Sequence, residues 1–190
     1  MEMLKDAIRT KGKALNQDVL LVDSFLNHQV DVTLMKEVGE AFAKRFAGKG
    51  ITRVVTIESS GIAPAAFTAL AMGLPLVIMK KQTSRILKGS LLQTTVRSFT
   101  KGTQYELTVK REFLQPGEKI LLIDDFRASG EAAFGVIRLA EEAGATVGGI
   151  GIVIEKAFQQ GHERLVEAGM DLCSLARVKS MSPEKIEFID

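Results

Sequence analysis

Ile120, Leu121, Leu122 and Ile123 form an apolar run that ends on two aspartates, Asp124 and Asp125, and the chain then passes through Ala128, Ser129 and Gly130 into a helical pattern. A short apolar run without polar alternation predicts a strand covered on both faces. Residues 131–143 carry the helical periodicity, Gly144 is placed as its C′ stop, and Val147 begins another apolar run that continues to Ile154. Strand, helix and strand in that order make a βαβ unit. The same order occurs earlier: Val54, Val55, Thr56 and Ile57, a Ser59-Ser60-Gly61 turn, the helical stretch GIAPAAFTALAMG, then Leu76, Val77, Ile78 and Met79. Two such units predict an α/β fold with a mainly parallel sheet and helices on both sides. Two amphipathic helices precede them, one through Met3, Leu4, Ala7 and Ile8, the other through Leu34, Val38, Phe42 and Phe46 with Asp31 as N-cap.

With 190 residues, 46% of them hydrophobic, the expectation is one domain spanning residues 1–190. The 25 basic and 23 acidic side chains are intermixed, which argues against a nucleic-acid partner. The lone Cys173 forms no internal disulfide, the first residues lack a signal-peptide pattern, and the longest apolar run is too short and glycine-broken for a membrane helix. A cytoplasmic protein with no membrane partner is expected. Residues 80–114 interrupt the α/β rhythm: a basic stretch holding Lys80, Lys81, Arg85 and Lys88 precedes two alternating segments that suggest a hairpin. An insertion of this kind reads as a flexible loop and hairpin acting as a lid.

The carboxyl end of a parallel strand is where ligands bind in open α/β sheets. After Asp125, the helix beginning near Glu131 offers unpaired N–H groups, a favourable dipole and the Ser129 hydroxyl, which together suit a phosphate monoester. Asp124 and Asp125 suit vicinal sugar hydroxyls and, directly or through water, Mg²⁺. A plain polar strand terminus explains the two acids individually but not the whole arrangement. Glu58, Ser59, Ser60 and Gly61 form a second strand-to-helix turn at the same sheet edge, able to bind pyrophosphate oxygens or simply to cap a helix. Gly130 and Gly135 lack the Gly-Lys-Ser/Thr ending of a nucleotide-binding loop. Gly148, Gly149 and Gly151 lie in a strand, where close packing explains them. His28 has no partner at metal-ligand spacing and reads as a structural or surface residue, and Cys173, without a Cys-X-X-Cys partner, as a small apolar filler.

The segment LLIDDFRASGEAAFG resembles the ribose-phosphate signature of the phosphoribosyltransferase family, and VLLVDSFLNHQVD and GIGIVIEKAFQQG resemble that family's xanthine-using branch. The resemblance implies a type I phosphoribosyltransferase fold, Mg²⁺ as cofactor, phosphoribosyl pyrophosphate and xanthine as substrates, and a homodimer. It implies a 5′-phosphate site at Ala128, Ser129, Gly130, Glu131 and Ala132, catalytic Asp124 and Asp125, and pyrophosphate contacts from Glu58 to Gly61; among the basic residues of the lid, Lys81 is the candidate to close over the pyrophosphate. Leu20, Asn27 and Lys156 are implied for the base, beneath a hood made by residues 1–30 and the C-terminal segment. One departure stands out: the family often has Ser or Thr shortly after the loop glycine, whereas Glu131 and Ala132 follow Gly130 here. A carboxylate beside a phosphate is repulsive unless Glu131 points outward. The alternatives left open are a hypoxanthine/guanine enzyme and a non-catalytic sensor of phosphoribosyl pyrophosphate.

Overall fold

The computed structural model describes residues 1–81, 90–98, 103–127, 130–159 and 161–189. Arg85, Lys88, Ala128 and Ser129 therefore lie outside the described residues. Helix α1 (Glu2–Lys11) leads into the short antiparallel pair β1 (Lys13–Ala14) and β2 (Leu20–Leu21), then a π-helical turn, Asp23–Asn27. Helix α2 (Val32–Arg45) starts where expected, with the Asp31 side chain accepting from the Leu34 N–H at 3.1 Å. The first βαβ unit is β3 (Arg53–Ile57), α3 (Ile62–Met72) and β4 (Leu76–Met79). A hairpin of β5 (Leu91–Ser98) and β6 (Thr103–Lys110) follows. The second unit is β7 (Lys119–Arg127), α4 (Glu131–Ala143) and β8 (Thr146–Lys156), and α5 (Gly161–Glu167), β9 (Leu172–Met181) and β10 (Ile186–Ile189) complete the chain.

One six-stranded sheet has the order β10-β9-β8-β7-β3-β4, parallel throughout except for the antiparallel β10 edge. Its two faces carry separate cores. One packs Leu4 and Ile8 of α1 and Val38 and Phe42 of α2 against Val54, Leu121 and Val153. The other packs Val136 and Leu139 of α4 against Leu122, Ile150 and the hairpin's Leu92 and Leu107. The glycines of β8 are packing residues: a Cβ at Gly149 would stand 2.4 Å from Phe46 Cε1, and one at Gly151 2.7 Å from Phe42 Cε1. Two phenylalanine rings thus lie where β8 has no side chains.

The hairpin differs from a free lid. A Cβ on Gly135 of α4 would meet Val96 Cγ2 at 2.6 Å, and Arg138 donates to Thr94 Oγ1 and to the Thr95 carbonyl, both at 3.0 Å. Its alternating apolar residues close the second core, as alternation on a half-buried hairpin dictates. Paired backbone bonds between Lys80 and Thr108, each 2.9 Å, fasten its base to the end of β4.

Candidate active site

Parallel order brings the carboxyl ends of β3, β7 and β8 to one edge of the sheet, so the turns that follow them are neighbours. The apolar pattern predicts a strand ending at Ile123, with the two aspartates just past it. Instead β7 continues to Arg127, with Asp124 paired to Ile152 and Phe126 to Ile154. Neighbouring β8 runs to Lys156, and its backbone keeps β7 extended through polar residues that hydrophobicity alone does not mark as strand.

The Asp125 N–H donates to Asp124 Oδ1 at 3.0 Å. A Cβ at Gly61 would be 3.0 Å from the same oxygen and 2.5 Å from Thr56 Oγ1. Gly61 is therefore needed for close approach, and the Ser59-Ser60-Gly61 turn lies against the acidic strand end. Thr56 is fully buried, yet its hydroxyl has no hydrogen-bond partner among the described residues. Burial first, and the Asp125 charge second, push the Asp124 carboxyl well above the usual carboxylate range, against the pull of Lys81. Ionising this acid is costly, and a nearby cation would lower that cost.

The Glu58–Ser59 peptide bond is cis. Glu58 Oε1 accepts from the Lys81 N–H at 2.8 Å, and Oε2 lies 3.1 Å from Lys80 Nζ. Burial works to raise this carboxyl, but the Lys81 N–H and the Lys80 ammonium outweigh it and hold it below its ordinary value. Glu58 thus joins the turn to the start of the insertion, while Ser59, Ser60 and Gly61 follow it. Lys81 Nζ stands 5.6 Å from the centre of the Tyr105 ring. Burial, then the Asp124 charge, raise the Tyr105 phenol. No motif in the sequence singles out Tyr105, although it is the chain's single tyrosine and lies on an alternating strand.

Gly130 caps α4 with φ +82, a left-handed conformation that glycine adopts without strain. Glu131 and Ala132 begin the helix, and Glu131 Oε1 is 2.7 Å from Arg164 Nη1 on α5. The carboxylate is thus paired to a cation that no sequence spacing connects to it.

Of the residues implied for the base, Lys156 is the last residue of β8. Its ammonium donates to the Asp18 carbonyl and stands 5.6 Å from the centre of the Phe126 ring. Burial lowers its pKa, against the Asp18 charge. Leu20, two residues after Asp18, is 6% exposed and belongs to the first core, so its side chain serves packing. Asn27 is exposed at the end of the π-helical turn, and His28 is exposed beside it. Among the described residues no cluster of three or more His, Cys, Asp or Glu side chains is placed to hold a metal ion, and no helix is long and apolar enough to cross a membrane. Asp124 and Asp125 offer oxygen donors of the kind Mg²⁺ accepts when most of its shell comes from ligand and water.

Residues 31–179 match the model of the phosphoribosyl transferase domain. The xanthine phosphoribosyltransferase of Clostridium acetobutylicum is 56% identical over 189 residues, covering 100% of both chains, and that of Listeria innocua is 50% identical over 190 residues, covering 100% of this chain and 99% of its own. The adenine phosphoribosyltransferase of Giardia lamblia, solved with 9-deazaadenine, superposes with a TM-score of 0.79 at 22% identity, over 92% of this chain and 97% of that one. That likeness concerns the fold. Two strand-to-helix turns meeting at one sheet edge, a matching domain model and full-length relatives agree: the chain belongs to the phosphoribosyltransferase family.

Proposed function

We propose that the chain transfers the 5-phosphoribosyl group of phosphoribosyl pyrophosphate to N9 of xanthine, giving xanthosine 5′-monophosphate and pyrophosphate. The observation that carries this reading is 56% identity, end to end, to a xanthine phosphoribosyltransferase. The C1′–O bond to pyrophosphate breaks, the C1′–N9 bond forms, and the N9 proton is released.

Each part of the donor has a matching part of the site. Gly130, Glu131 and Ala132, with Ala128 and Ser129 before them, take the 5′-phosphate at the start of α4. Asp124 and Asp125 accept from the ribose hydroxyls and fix the anomeric carbon. The turn at Ser59, Ser60 and Gly61 takes the pyrophosphate, with Lys81 above it, so its developing charge is met by donors already in place. Asp124 and Asp125, directly or through water, would hold a Mg²⁺ that comes with the pyrophosphate, and when bound it would supply charge neutralisation for the leaving group. Lys156 donates to a xanthine carbonyl, the Asn27 amide donates to another polar edge, and the backbone at Leu20 lines the base while its side chain stays in the core. Xanthine has carbonyl oxygens at C2 and C6, so donors select it over guanine, whose C2 amine requires an acceptor.

The test is a spectroscopic assay of each purine base with Mg²⁺ and phosphoribosyl pyrophosphate. Xanthine is expected to give the highest kcat/KM. Preference for guanine would move the chain to the hypoxanthine/guanine type, and no product from any base would leave only a donor-sensing protein.

A further inference from the structure

Glu131 is the acidic residue in the first turn of α4, the turn that the proposed function gives to the 5′-phosphate, and its role depends on that assignment. A carboxylate there competes with the phosphate for the same unpaired N–H groups and the same helix dipole, and repels it besides.

Arg164 resolves the conflict. Its Nη1 lies 2.7 Å from Glu131 Oε1, and its guanidinium stands 5.0 Å from the centre of the Phe134 ring, one turn further along α4. Helix α5 is seated against the loop: a Cβ at Gly130 would lie 3.6 Å from the Gly161 carbonyl oxygen and 3.7 Å from Leu165 Cγ, and Leu165 is fully buried. The guanidinium is therefore held between an acid and a ring on a helix whose position is fixed by the core. The two side chains are 43% and 21% exposed, and a pair so open to water adds little to stability. Its consequence lies in the field at the first turn of α4.

We infer that Arg164 is a positioning residue for the phosphoribosyl donor: by pairing with Glu131 it neutralises the carboxylate and draws it toward α5, leaving the α4 N-terminus to the phosphate. Binding of ribose 5-phosphate by calorimetry, together with KM for phosphoribosyl pyrophosphate, tests this in wild type, Arg164→Gln, Glu131→Gln and the double variant. Arg164→Gln is expected to weaken ribose 5-phosphate binding about tenfold and to raise the donor KM by a similar factor, while kcat and the xanthine KM move little. Glu131→Gln is expected to tighten binding, because the repelling charge is gone while the guanidinium keeps its own. In the double variant affinity returns to within about threefold of wild type. Arg164→Lys keeps the charge and is expected to bind nearly as wild type, which carries the same test if the Gln variant folds poorly. Wild-type affinity in Arg164→Gln overturns the inference. So does a double variant as weak as Arg164→Gln, since Arg164 would then act on the phosphate directly or on the fold. A wild-type protein that binds no ribose 5-phosphate overturns the assignment of the loop itself.

Discussion

Asp124 is held in a state that favours its protonated form, because burial and Asp125 both oppose its charge. With its folded pKa above the ordinary value, the native chain binds more protons than the unfolded one once pH exceeds the usual carboxyl range. The contribution of this one group to stability is therefore fully present below the ordinary carboxyl range and is lost as pH rises through the folded pKa. Asp124→Asn removes that slope. Without ligand at neutral pH the variant is expected to melt about 3 °C higher, corresponding to about 1 kcal/mol for a chain of this size, while turnover falls by about 100-fold or more. A variant that melts below wild type, or keeps its rate, contradicts the account. The acids were legible in the sequence because they interrupt an apolar run. Tyr105 and Arg164 were not, since each lies against a residue distant in sequence, Lys81 and Glu131, that local pattern does not reveal.

At the scale of elements, the glycines of β8 have a measurable role. In Gly149→Ala the new methyl would stand 2.4 Å from the Phe46 ring, and overpacking of this kind costs about 1–3 kcal/mol. Chemical denaturation is expected to show that loss, and adding Phe46→Leu to recover part of it; a neutral Gly149→Ala would mean that α2 moves away freely. Close packing was the sequence reading for these glycines, because they lie inside a strand and not between strand and helix. The two βαβ units, Asp31 as N-cap and Gly144 as C′ stop were read from periodicity and local signals. The length of β7 was not, for its polar end is extended by pairing with β8. Nor was the hairpin's seat: alternation indicated two strands, while Val96 and Leu107 packing on Gly135 makes them part of the second core.

Across the whole molecule, the two ends of the chain meet beside the residues proposed for the base. The Met1 ammonium donates to the Leu175 carbonyl on β9 at 2.6 Å, Phe188 of β10 lies under Arg9 at 5.0 Å, and Lys156 is tied to the Asp18 carbonyl. The residues proposed for the ribose and the pyrophosphate lie instead on β7, in the turns after β3 and β4 and at the start of α4, beside the sheet and the second core. Base and donor should therefore respond differently to a disturbance of α1. Leu4 is fully buried, so Leu4→Ala leaves a cavity and is expected to cost about 3 kcal/mol, read from denaturant midpoints. Among molecules that remain folded, the xanthine KM rises severalfold while the donor KM holds, because the loosened helix shifts residues 13–27 and not the sheet edge. Leu4→Met, close in volume, is expected to restore both stability and the xanthine KM. Equal rises in the two KM values would show that the halves of the site are coupled through the sheet and not divided between the joined ends and the central strands.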